Sequence, residues 1–301
     1  MVIPSVPRNL FEIQRYRDIR TAYLFILPTI TILLLVILYP FLTAIWISFT
    51  NKSLGGQGNF IGLSNFYTLF QSAEFWRAFG NSFYYTFSSV ILKFFIGLIT
   101  AILLNANFPF KGAVRVLIIL PWAISPYIAA LTWRWIFDDY NGFFNILLAK
   151  YSLASEPIYW LSDPRFAMIS VIIAATWQGY PFYTMMLLAG LVTIPKELYE
   201  AVEIDGGNKI HKFFYITLPS LTNIIITTML LSFIWTFNQF QYVYSMTGGG
   251  PGGMTHILST LTFKYGIEMR NISLASAVSI TAIPVFAVLT VYLTRTMLKN
   301  D

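Results

Sequence analysis

The chain has 301 residues, of which 56% are hydrophobic and only 11% charged, and its net charge is +6. A soluble domain carries about 25% charged residues, so this one lacks the polar surface to cover a water-soluble globule. Its apolar residues fall in blocks of about 20, the length that crosses a bilayer as a helix. With no Cys, disulfides and thiolate metal sites are excluded, and the two His, at 211 and 256, stand far apart. No basic cluster interleaved with exposed aromatics suggests nucleic acid. The excess of Lys and Arg instead reads as charge that holds loops in the cytoplasm.

In chain order, residues 1–20 form a basic segment with Arg8, Arg15, Arg17 and Arg20. The apolar block that follows is too long for a signal-peptide core, and no small-residue cleavage site follows it. Six spans are predicted within one membrane domain, 21–301, giving an all-α membrane protein. The first runs over 21–49 and the second over 82–104. The third, 113–137, contains Pro121 and Pro126; the fourth, 166–191, contains Gly179 and Pro181. The fifth covers 216–244 and the sixth 273–294. Interior prolines are tolerated because neighbouring helices and waters satisfy the freed carbonyls.

Orientation follows from the basic residues of the connections. Arg8, Arg15, Arg17, Arg20, Lys111, Arg115, Lys196, Lys209, Lys212, Arg295 and Lys299 lie on one side. Lys52, Arg77, Arg134, Lys150, Arg165, Lys264 and Arg270 lie on the other. The bias puts both termini in the cytoplasm. The outer connections, 50–81, 138–165 and 245–272, are long and rich in aromatics, Gly, Asn and Ser. Their charges, including Arg134, Asp138, Asp139, Glu156, Asp163 and Glu268, read mostly as solvated.

One inner connection is long, 192–215. It reads as a short helix, a glycine turn and a second short helix. Pro195 suits a first helical turn. Leu198 and Val202, with Ile194 ahead of them, form an apolar stripe, and Gly206-Gly207 stops the helix. Such a helix either lies in lipid headgroups or plugs a groove on a protein. The first helix carries Glu197, Glu200, Glu203 and Asp205 against Lys196. Acid repels an anionic leaflet, which favours a protein partner.

Polar groups deep in the spans are candidates for contact with a transported solute. Trp235, Asn238 and Gln241 recur at i, i+3 and i+6, with Gln239 beside them. Amides bond hydroxyls in both senses and an indole covers the apolar side of a sugar ring, but amides also join membrane helices to one another. Gln178, Tyr180 and Tyr183 flank Gly179 and Pro181, and read either as a second polar group or as packing at a kink. Lys93 sits near the middle of the second span, where a charge is costly. No Asp or Glu lies in any other span. Its counter-charge is therefore an acid on a second subunit, water, or an anionic cargo.

The sequence also resembles a family. Glu200-Ala-Val202, three residues, Gly206, nine residues, then Ile216-Thr-Leu-Pro219 is similar to the EAA loop of permease subunits of binding-protein-dependent ABC importers. Val202 stands where Ala is usual. Ala22-Tyr-Leu-Phe-Ile-Leu-Pro28, Tyr39-Pro40, Phe60-Ile-Gly-Leu-Ser-Asn-Phe66, Leu188-Ala-Gly-Leu191 and Ile194-Pro-Lys-Glu-Leu-Tyr199 resemble other segments of that family in the same order. Thr247-Gly-Gly-Gly-Pro-Gly-Gly-Met-Thr255 looks like the loop before the last span in its sugar and glycerol-phosphate branch.

This resemblance implies a type I ABC importer permease of six helices in a prokaryotic inner membrane. Its partners would be a second homologous permease, two ATP-binding cassette subunits, an extracytoplasmic substrate-binding protein and membrane lipid, with no nucleic acid. Leu198, Glu200, Ala201, Val202, Asp205 and Gly206 would couple to the ATPase. Glu200 would bond a basic group there, and Gly206 would allow the bend that seats the helix. Trp235, Asn238, Gln239, Gln241, Lys93, Gln178 and Tyr180 would bind a sugar or a sulfonated, phosphorylated or carboxylated derivative. The chain itself would be no enzyme and bind no cofactor. Its glycine-rich loop at 247–253 lacks the Gly-Lys-Ser/Thr ending that cradles phosphates, so ATP and Mg²⁺ belong to the partner. An ion-coupled transporter would need carboxylates in its spans, and an intramembrane enzyme would need a catalytic cluster there.

Overall fold

The computed structural model describes residues 8–298. Residues 1–7 and Lys299, counted above among the cytoplasmic segments, lie outside them. The described residues are helical, with one isolated antiparallel bridge between Thr50 and Phe60.

Helix α1 (Arg8–Leu33) runs through a π turn at Leu34–Leu38 into α2 (Tyr39–Ser48). Helices α3 (Ser64–Gln71) and α4 (Ala73–Asn105) follow. Next come α5 (Lys111–Ala123), α6 (Pro126–Ile136), α7 (Phe143–Lys150) and α8 (Pro164–Thr193). The connection after α8 holds α9 (Lys196–Ile204) and α10 (Lys209–Lys212), and a π turn at Phe213–Thr217 leads into α11 (Leu218–Phe237). Last are α12 (Gln241–Thr247), α13 (Leu258–Phe263), a π turn at Lys264–Glu268, α14 (Ile272–Ile280) and α15 (Ile283–Leu298).

Among the described residues, Thr21–Ser48, Ala73–Asn105, Lys209–Phe237 and Ile272–Tyr292 are long and apolar enough to cross a membrane. A fifth crossing is counted if α5 and α6 act as one. The one expected span not among these, the fourth, corresponds to α8. At 30 residues it is long enough, but Trp177-Gln178-Gly179-Tyr180-Pro181 at its middle makes it less apolar. It tolerates those residues because more than half of it is buried inside the bundle.

Three expectations change. The third span is not one rod: α5 and α6 meet at 94°. Ile124 and Ser125 are extended, as a residue ahead of Pro must be, and Pro126 opens α6. The second span begins earlier, at Ala73, so Lys93 lies twenty residues into α4 and twelve from its end. The fifth ends at Phe237 rather than at 244. There the side-chain amide of Asn238 donates to Ile234 O at 3.0 Å, taking the carbonyl that a continuing helix would use.

The core is the packing of α4 on α8, with α11 against both, while α14 packs on α2, α3 and α13. Gly97 of α4 sits against Tyr183 of α8, and Thr100 bonds Thr184 across the same interface at 2.6 Å. Small residues let membrane helices approach this closely. Tyr183 is fully buried and therefore packs the helix pair, the second of its two readings. A second cluster gathers Trp133, Phe137, Trp160 and Tyr242 around α6, α8 and α12. Beside it Asp139 corrects the reading of these loop charges as solvated. It is buried, accepts from Leu161 N–H at 2.9 Å and bonds the Ser162 hydroxyl. By contrast, residues 21–42 are exposed throughout, and the stretch meets the rest of the chain only towards its end, where α2 packs on α14 and Ser48 is buried.

Candidate functional site

Two polar stripes meet where α4 crosses α11. On α4, Ser82, Thr86, Ser89 and Lys93 are buried at helical spacing. On α11, Thr228, Ser232 and Thr236 are buried at intervals of four. Lys93 is only 5% exposed, and its Nζ donates to Thr236 Oγ1 at 3.0 Å. No carboxylate pairs with it among the described residues. Burying a charge away from water costs several kcal/mol, roughly, unless an opposite charge compensates it. The ammonium therefore marks this crossing as a place built for something besides packing.

Lys93 opens into a cleft of about 90 Å³ lined by Trp122, Gln178, Gly179, Phe182, Ser232, Trp235, Thr236 and Gln239. The rings of Trp122, Phe182 and Trp235 form a continuous wall. Trp122 and Phe182 stack at 6.4 Å, and Phe182 and Trp235 lie 5.2 Å apart. Gln178 Nε2 donates at 3.4 Å to the carbonyl of Ile124, which the α5–α6 bend leaves outside any helix. Gln239 Oε1 accepts from the Tyr85 hydroxyl at 3.0 Å.

Of the residues proposed from sequence for cargo, the structure thus brings Lys93, Gln178, Trp235 and Gln239 together. Three fall elsewhere. Because α11 stops at Phe237, Trp235, Asn238 and Gln241 do not share one helix face. Asn238 lines a different, mostly apolar groove of about 670 Å³ with Phe286 and Ala44. Gln241 is exposed at the start of α12. Tyr180 is half-buried and lies outside the cleft.

The connection between α8 and α11 forms a second site. α9 has no buried residue. Leu198, Glu200, Ala201 and Asp205 are exposed and Val202 is half-buried. The expected stripe of Ile194, Leu198 and Val202 is therefore not one packed face: Ile194 is buried ahead of the helix, while Leu198 points outward. Tyr199 seats α9 instead, through a hydroxyl contact to Thr217 Oγ1 at 3.1 Å. Pro195 sits one residue ahead of the helix as its extended N-cap. At the other end Gly206 takes φ +78°. Its N–H bonds Glu203 O at 3.0 Å and Gly207 N–H bonds Val202 O at 2.8 Å, the paired closure that a left-handed C′ residue permits. Asn208 then caps α10 by accepting from Ile210 and His211 N–H. Lys212 pairs with Glu203 and fixes the two helices to each other. The result is an acidic, solvent-facing helix joined to α10 by a closed glycine turn and an ion pair.

The family of inner membrane components of binding-protein-dependent transport systems matches residues 93–298. The chain belongs to that family. This permease is 35% identical to the trehalose/maltose transport system permease protein MalF of Thermococcus litoralis, over 97% of this chain and 99% of that one. It is 33% identical to the sulfoquinovosyl glycerol transport system permease protein SmoG of Agrobacterium fabrum, over 86% of this chain and 84% of that one. A solved bacterial ABC transporter for import of the acidic polysaccharide alginate superposes with a TM-score of 0.82, at 23% identity, over 94% of this chain and 97% of that one. At that identity the likeness establishes the fold.

Sequence reading of the permease missed Trp122, Phe182, Ser232 and Thr236. For the last two the signal was present: Thr228, Ser232 and Thr236 recur every four residues, and Ser232 and Thr236 are the only polar side chains between Thr228 and Phe237. Trp122 had none, because only the α5–α6 bend brings it to the cleft.

Proposed function

We propose that this permease is one transmembrane subunit of an ATP-driven importer for a sugar or sugar derivative, neutral or anionic. Both termini lie in the cytoplasm. A second homologous permease completes the channel, and a binding protein delivers cargo outside. Two ATPase subunits, which hold the ATP and Mg²⁺, receive α9 in a groove. Their closure swings the helices between inward-open and outward-open states, and the Lys93–Gln239 cleft is where the cargo meets this chain.

The observation that carries this reading is α9 itself. A helix with no residue buried in its own chain carries outward acids and an outward Leu198, and is closed by the Gly206 turn and tied to α10 by the Glu203–Lys212 pair. Such a helix transmits force only to a partner. The cleft supports a sugar: aromatic faces cover C–H surfaces, and amides and hydroxyls bond the ring hydroxyls. Relatives named for trehalose/maltose and sulfoquinovosyl glycerol transport point the same way.

The test is uptake of labelled disaccharides into proteoliposomes holding the whole complex, with ATPase subunits either active or unable to hydrolyse ATP. Uptake that persists without hydrolysis would refute the reading.

A further inference from the structure

Resting on that reading, we propose that the cleft at Lys93 is an anion-recognising subsite, so that the cargo bears a sulfonate, phosphate or carboxylate. The argument is the inventory of free hydrogen-bonding groups. Lys93 is a donor only, and Gly179 leaves it room: a Cβ there would come within 2.6 Å of its Cε. The Thr236 oxygen already accepts from Lys93, so the proton of that hydroxyl is free to donate. Gln239 has its carbonyl occupied by Tyr85, which leaves its NH₂ as the free end. The indoles of Trp122 and Trp235 can only donate. No Asp or Glu lines the cleft; its acceptors are Gln178 Oε1, left free because Nε2 donates to Ile124 O, and the Ser232 hydroxyl, which can also donate.

A neutral sugar presents hydroxyls, which need acceptors as well as donors. A lining dominated by free donors around a buried ammonium suits an anion, where charge-assisted bonds are roughly twice as strong as neutral ones. The size agrees. About 90 Å³ holds a compact charged group and not a hexose ring, which would rest outside the cleft on the exposed faces of Trp122 and Trp235.

The rival occupant is an acid contributed by the second permease, and the two differ in sign. Removing one member of a buried ion pair strands the other and destabilises strongly. Removing a charge that waits for cargo strands nothing.

The experiment uses the assembled complex in nanodiscs, held with a non-hydrolysable ATP analogue and probed by thermal shift. The probes are methyl glucoside, methyl glucuronide, glucose 6-phosphate, 6-sulfo-glucose and inorganic sulfate. At least one anionic sugar is expected to stabilise the wild type at concentrations ten or more times lower than methyl glucoside. Lys93→Gln should erase that difference. Lys93→Met, without ligand, should leave the melting temperature unchanged or raise it.

Equal response to neutral and anionic sugars, or a preference kept in Lys93→Gln, would overturn the proposal. A melting temperature lowered by many degrees in Lys93→Met would assign the charge to the subunit interface instead. If no sugar of either charge acts but sulfate shifts the wild type and not Lys93→Gln, the anion subsite stands and the sugar reading falls. If neutral sugars alone act, the sugar reading stands and this proposal falls. If nothing shifts the wild type, both fall.

Discussion

Gly179 on α8 and the aliphatic stem of Lys93 on α4 occupy the same space. A methyl group on Gly179 would stand 2.6 Å from Lys93 Cε and 3.2 Å from its Nζ. Alanine at 179 must therefore push the ammonium aside and break its 3.0 Å bond to Thr236. Overpacking of this kind costs about 1–3 kcal/mol, and a flexible side chain keeps it at the low end. Gly179→Ala is expected to fold, with a melting temperature a few degrees lower, and to lose uptake severalfold. Normal uptake in proteoliposomes would mean that the position of the Lys93 charge is immaterial.

The same pair shows how much was legible in the sequence. Lys93 stands out because a charge in an apolar block is costly wherever the helix points. Gly179 was visible only as a kink, since nothing in the sequence says which helix passes over it. Helical spacing also misled at Asn238. The grouping of Trp235, Asn238 and Gln241 assumed an unbroken helix, and a single side-chain bond from Asn238 to Ile234 O ends it. Gly206 was read correctly because the left-handed cap is a local demand. The apolar stripe of α9 was not, because Ile194 belongs to the bundle and Leu198 faces outward. Asp139 looked like any loop acid until the fold brought Ser162 and Leu161 to it.

Glu200 is exposed on a helix with no burial of its own, so its loss should leave this subunit's stability unchanged. A charge-assisted hydrogen bond to a partner contributes about 1.5–3 kcal/mol. Glu200→Gln is therefore expected to weaken capture of the ATPase by roughly 10- to 100-fold and to depress uptake with it. Pull-down of the ATPase by the variant at a series of concentrations measures the first, and transport the second. Wild-type values for both would remove Glu200 from the contact.

Gly206 holds φ +78° with open space around the position where a Cβ would sit. Alanine there meets no clash, so the whole cost is backbone strain, about 1–2 kcal/mol for a left-handed residue with a Cβ. Gly206→Asn should cost less, because Asn tolerates that region better. Amide exchange is expected to quicken over Val202–Asn208 in Gly206→Ala, with uptake reduced, and to change less in Gly206→Asn. Equal exchange in all three would show that the turn is not held by this conformation.

His256, between α12 and α13, gives the molecule a dependence on acidity. The ring is buried against Gly249, and Nδ1 lies 3.1 Å from Thr260 Oγ1. Burial pushes its pKa below the usual value and Lys264 adds to this, while Glu74 and Glu268 oppose it. With the folded pKa depressed, the unfolded chain binds the proton more readily. The contribution to stability is then complete above the unfolded value of about 6.5 and is lost as the pH falls below it. The slope from one such group is at most about 1.4 kcal/mol per pH unit. The melting temperature of the complex should fall between pH 7.5 and 5.5. His256→Gln, which keeps a polar group beside Thr260 without titrating, should flatten that fall. If the two melting curves ran parallel, the acid sensitivity would belong to other groups.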